Sequence, residues 1–251
     1  MGQHSSSSTD RWFGALGGIA FGALTILGWA FWAAPSFPHL SPGVASWSDS
    51  TASVARYYSQ HSTPVLIGCL LGTIALAPLL MFTVALYNRL RAAEGGSGSW
   101  AMLTLIAGVM VAVVHFLFLS FLFQAAFRPG AVGAQVTNAM AYAGTAGAAA
   151  SILYATMLLA VGVATLRYDA LPRWTGILAL IAAPLQFLYI PSIFGAEHIF
   201  DVTDGLLGVY ATFGTFLPWC IAAGIAIARS APATATAAEA RATGLTPAAV
   251  S

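Results

Sequence analysis

Six stretches of this chain, each longer than twenty residues, contain no aspartate, glutamate, lysine or arginine: 12–48, 57–88, 95–127, 129–166, 174–196 and 205–228. Crossing the ~30 Å hydrocarbon layer of a bilayer takes about 20 residues of helix at 1.5 Å per residue. Inside that layer every backbone N–H and C=O must be bonded within its own segment, which leaves the α-helix as the form for an isolated apolar run. Charge-free runs of this length, repeated along one chain, therefore predict an all-α, multi-pass membrane protein. Composition agrees: 59% of the residues are hydrophobic and 7% charged, where a soluble domain carries about a quarter charged residues.

The punctuation between runs divides the chain. Residues 1–10 read as a polar, disordered leader. A six-helix transmembrane domain follows over 11–228, with spans at about 12–34, 63–87, 99–127, 141–166, 174–194 and 205–228. The Ala/Thr/Pro-rich remainder, 229–251, has no period and reads as a disordered tail. Trp12 to Ala34 also competes with a cleaved signal peptide, but its 23 uncharged residues exceed the usual 7–15-residue apolar region of such a peptide. Prolines 78, 184, 191 and 218 fall inside spans and predict kinks. No internal repeat is visible, so nothing supports an inverted-repeat transporter.

Between the first two spans, Pro35, Pro38 and Pro42 forbid a continuous helix. Ser48-Asp-Ser50 then offers capping oxygens for a short helix that places Val54, Tyr57, Tyr58 and His61 on one face. Two readings fit it: an interfacial helix with its tyrosines at headgroup level, which the pattern favours, and a lid over a cavity.

All nine cations are arginines. With the N-terminus inside, Arg11, Arg89, Arg91, Arg167, Arg173, Arg229 and Arg241 are cytoplasmic, while Arg56 and Arg128 are external. Seven against two is a positive-inside bias, and six spans bring both termini to the cytoplasmic side of the plasma membrane. A formal net charge of +1 supplies no basic face for nucleic acid. Cys69 and Cys220 both lie in apolar segments; their differing depths predict that they are not bonded to one another.

Two features are candidates for chemistry. Glu197, His198, Asp201 and Asp204 crowd into 195–205, with no arginine between Arg173 and Arg229. In a helix Glu197 and Asp201 are four apart and His198 and Asp201 three apart, so they converge on one point, as a divalent-metal site or a proton relay requires. The bland alternative is a solvated outer loop. The second feature is His115, about 24 Å along the third span at 1.5 Å per residue. An intramembrane histidine is a functional group by default; the competing account is an interhelical hydrogen bond to a serine or tyrosine. Together they define an expected outer-face site with His115, Glu197 and Asp201 as catalytic groups and Glu197, His198 and Asp201 as metal ligands. Gln124, Gln186, Tyr142 and Tyr189 are expected to face the bundle interior.

Small residues recur at helical spacing. Gly14, Gly18 and Gly22 line one stripe and Gly68 and Gly72 another, and such faces let a second backbone approach closely. They are the expected faces for a homo-oligomer or a partner membrane protein.

The order of spans, the stretch Val54-Ala-Arg-Tyr-Tyr58-x-x-His61, and Leu171-Pro-Arg-Trp174-x-Gly176 opening the fifth span resemble an actinobacterial family of small polytopic membrane proteins whose domain has no assigned function. The resemblance covers about Phe13 to Ala228 and implies the membrane bundle alone; it transfers no site residue. Three function classes follow from the residues: an accessory or structural membrane protein working through helix packing, a membrane-embedded enzyme on a lipid or isoprenoid-like substrate at the outer face, and a small transporter. The inner halves of the spans hold few ionisable groups, which weighs against the transporter.

Overall fold

The apolar runs of the chain fold as helices. The structure, a computed structural model, describes residues 8–33, 50–128, 133–145, 150–194 and 211–229, and among these every regular element is helical. The elements are α1 (Ser8–Ala33), α2 (Thr51–Gln60), α3 (Ser62–Glu94), α4 (Ser99–Phe127), α5 (Ala134–Thr145), α6 (Ser151–Tyr168), α7 (Arg173–Leu185) continued by a 3-10 segment (Gln186–Phe194), and α8 (Ala211–Arg229). Five segments are long and apolar enough to cross a membrane: Arg11–Phe31, Ser62–Glu94, Ser99–Phe127, Ser151–Tyr168 and Arg173–Pro191. The sixth apolar helix, Phe213–Arg229, is shorter. The helix ending at Tyr168 begins at Ser151, ten residues after the expected start, and α5 is a separate helix ahead of it.

α1 is the hub. It packs along α3 on one side and α8 on the other, and glycine makes both contacts possible. A Cβ on Gly17 would lie 2.6 Å from the Phe82 backbone nitrogen and 2.7 Å from the Pro78 carbonyl; one on Gly18 would lie 2.5 Å from the Cys220 carbonyl. The stripe of Gly14, Gly18 and Gly22 therefore faces α8 of the same chain, and Gly72 is filled by Leu119 of α4.

Turn chemistry joins α3 to α4. The third helix runs through Arg89 and Arg91, where a loop was expected, and stops at Gly95 in the left-handed conformation, φ 64°. Glu94 then turns its carboxylate onto the start of α4, accepting the N–H groups of Trp100 at 2.9 Å and Ala101 at 3.1 Å. This acid is spent on donors that a helix N-terminus leaves without intrahelical partners.

Contacts along the bundle fix which ends lie together. Arg89 donates to the Ile227 carbonyl at 3.4 Å, and Gly14 abuts Ile227. Trp219 of α8 donates its indole N–H to the Thr175 carbonyl at 3.1 Å, tying the start of α7 to the same half. The helix ends carrying Arg11, Arg89, Arg91, Arg167, Arg173 and Arg229 thus gather at one end. Arg56, on α2, and Arg128, after α4, belong to the other, since α2 buries Val54 and Tyr58 beside Leu122, Ala125 and Ala126.

α2 is held against the bundle. Ser50 caps it, accepting the Ser53 N–H at 3.2 Å, but the helix packs on α5, α3 and α4. Tyr58 is 1% exposed, buried between helices. Apolar neighbours on three helices outweigh the polarity of its hydroxyl.

Candidate functional site

A polar side chain placed among apolar helices takes whatever partner a neighbouring helix offers, because the surrounding hydrocarbon offers none. His115, on α4, meets Tyr154 of α6. The tyrosine hydroxyl lies 2.9 Å from Nδ1 and 3.3 Å from Nε2. A single hydroxyl serves one ring nitrogen at a time. Of the two accounts of His115, the structure displays the hydrogen bond between helices, and its partner is a tyrosine that spacing alone did not single out.

Aromatic rings enclose this pair. Phe21 of α1 stands edge-on to His115 with centroids 6.2 Å apart, and Phe213 of α8 does the same at 6.2 Å. Tyr154 in turn lies 4.7 Å from Phe216 and 5.9 Å from Phe213. Phe213 is the hinge of the cluster, touching Trp29 at 5.0 Å and Tyr189 at 6.1 Å as well. Edge-to-face rings at 4.5–7 Å are favourable beyond the area they bury, so α1, α4, α6 and α8 meet here around one polar bond.

Beside His115 the packing leaves a cleft, partly open on one side, whose water-accommodating space is about 20 Å³. Phe21, Thr25 and Trp29 form its α1 wall, His115, Phe118 and Leu119 its α4 wall, and Phe213 its α8 wall. Gly28, Gly68 and Gly72 complete the lining. Among the described residues no charged side chain lines it. Trp29, Phe118 and Leu119 also belong to, or pack against, the apolar cluster under α2, so the short helix stands next to the cleft.

Further polar bonds cross the bundle. After Pro184 the α7 helix tightens into its 3-10 segment, and buried Gln186 donates to the Thr215 hydroxyl at 3.0 Å and the Ala182 carbonyl at 3.2 Å. Tyr189 is buried too. Gln186 and Tyr189 thus face inward as expected. Gln124, by contrast, is exposed, because it lies near the end of α4 on the side turned away from its neighbours. The Tyr142 side chain lies outside the described residues.

So do Glu197, His198 and Asp201, with Asp204; the expected divalent-metal site and the expected convergence of these groups on His115 fall there. Among the described residues no three His, Cys, Asp or Glu side chains gather where a metal ion could be held.

Near the other wall of α4, Tyr58 is buried with no hydrogen-bond partner for its hydroxyl among the described residues. Burial, with smaller contributions from Cys69 and Tyr57, pushes its phenol well above the usual 10.0. Cys69 and Cys220 are both buried and neither is in a disulfide. No protein-family model, no curated protein and no solved structure matches this chain.

Proposed function

We propose that this is an integral plasma-membrane protein of six spans with both termini cytoplasmic, and that it serves an accessory or structural role through helix packing and not through catalysis. The observation that carries this reading is the use of its interior polar groups: His115 with Tyr154, Gln186 with Thr215, and Trp219 with Thr175 each join one helix to another. Catalysis at membrane depth needs acid and base groups converging on a space for substrate; among the described residues the ring around His115 is aromatic and its hydrogen-bond partner is a tyrosine. The sixth span is α8, whose 19 residues extend about 28 Å at 1.5 Å per residue. Six arginines at one end of the bundle against two at the other support placing that end in the cytoplasm.

Single-cysteine labelling from either side of the membrane tests the arrangement, in a chain whose two native cysteines are replaced by alanine. Positions 97 and 231 are expected to react only from the cytoplasmic side, and positions 50 and 203 only from outside. External labelling at position 97 overturns the orientation; a free N-terminus near Pro35 overturns the first span.

A further inference from the structure

We infer that the cleft beside His115 is a binding site for the uncharged, single-oxygen end group of a lipid-soluble molecule, a hydroxyl or carbonyl on a long apolar chain. This goes beyond the accessory role proposed above and does not depend on it.

Size decides the first part. About 20 Å³ of room is close to what one water molecule needs, so a phosphate head or an aromatic ring is too large, while one oxygen atom fits. Polarity decides the second. Phe21, Trp29, Phe118 and Phe213 line the cleft and none of the described lining residues is charged, so these walls offer an ion no countercharge for its lost hydration. His115 brings the ionisable ring into this lining. The Tyr154 hydroxyl serves one ring nitrogen at a time, which leaves the other nitrogen of this cleft-lining ring to a group that enters.

The setting decides the third part. Trp29, Gly72, His115, Phe118 and Phe213 are only partly buried, and the α1, α3 and α4 walls belong to segments long and apolar enough to cross a membrane. A molecule arriving there comes from the hydrocarbon layer, with its chain left along the open side and its oxygen inserted. Water offers the same hydroxyl chemistry, and the experiment separates the two sources.

The purified full-length chain in phosphatidylcholine vesicles is photolabelled with a diazirine-bearing hexadecanol, in the presence of unlabelled hexadecanol or hexadecane as competitor. The expected result is labelling concentrated on the peptides containing Phe21 to Trp29 and Phe118. Hexadecanol should compete about three- to tenfold better than hexadecane, the worth of one neutral hydrogen bond. The double variant His115→Phe/Tyr154→Phe keeps ring packing and leaves neither partner unpaired, so it should fold and lose the preference for the alcohol. Gly72→Leu, whose added side chain would project toward Leu119 at the cleft lining, should lose the localised labelling as well. Labelling spread evenly over all lipid-facing helices, equal competition by the hydrocarbon, or an alcohol preference that survives in the double variant each overturns the inference; the first two would leave the cleft to water alone.

Discussion

His115 and Tyr154 sit on different helices, and the 2.9 Å bond between them ties α4 to α6 at membrane depth. Such bonds contribute about 0.6 kcal/mol on average and up to about 1.7 in membrane bundles, since the unfolded chain in the membrane also finds partners. A double-mutant cycle of His115→Phe and Tyr154→Phe, read by unfolding in bicelles, should give a coupling of about 0.5–1.5 kcal/mol, with each single variant less stable than the double would predict from additivity. Tyr58 makes the opposite case. Its hydroxyl is buried without a partner among the described residues, and leaving such a group unpaired costs about 1–3 kcal/mol. Tyr58→Phe keeps the ring and removes the cost, so it should raise stability by about 1 kcal/mol in the same assay. The sign with pH also follows. Burial raises the phenol's folded pKa above its ordinary 10.0, so this group leaves stability independent of pH below pH 10 and lowers it as pH climbs beyond, where the unfolded phenol ionises and the folded one does not. Unfolding followed from pH 8 to 11 should show a loss above pH 10 that Tyr58→Phe reduces. His115 was legible in the sequence because an ionisable residue deep in an apolar run is conspicuous. Tyr154 was not, because one tyrosine in a span looks like any other until a second helix is laid against it.

Among the elements, α1 shows most plainly what glycine permits. With Gly17 against the Pro78–Phe82 backbone and Gly18 against the Cys220 carbonyl, helix backbones touch where any side chain would intrude. Gly18→Val should therefore separate α1 from α8 and cost at least the 1–3 kcal/mol usual for overpacking, seen as a lower unfolding temperature in detergent; Gly96→Ala, at a turn where a Cβ meets only the Glu94 carbonyl at 3.8 Å, serves as the control. The glycine stripe was readable from its four-residue spacing, but spacing cannot tell which helix will fill it, and here the chain's own helices do. α2 was readable as a capped, one-faced helix. Its burial was not, because the decisive neighbours, Leu122, Ala125 and Ala126 on α4, lie more than sixty residues away. In the fifth span the α-helix gives way to a 3-10 segment just after Pro184, where the ring removes a helical donor; that the tightened turn aims Gln186 at Thr215 depends on α8.

At the scale of the molecule, length and charge carried the fold class, since runs free of charge and longer than a bilayer is thick have few alternatives to helices. The sorting of arginines was also legible, and contacts such as Arg89 to the Ile227 carbonyl bring their helix ends together. Removing that sorting has a testable effect: Arg89→Glu with Arg91→Glu leaves the inner end less positive by four units of charge, and the side-specific labelling of position 97 should become mixed between the two faces. The order of assembly was not legible, because it depends on which helices touch. The contact between Gly18 of the first helix and the Cys220 carbonyl of the last joins residues about 200 positions apart, and ribosomes add about 5–20 residues per second. The first helix to enter the bilayer therefore waits some 10–40 s with one face uncovered until the last arrives, so a chain stopped short of α8 presents a bare glycine surface to whatever quality-control machinery surveys the membrane.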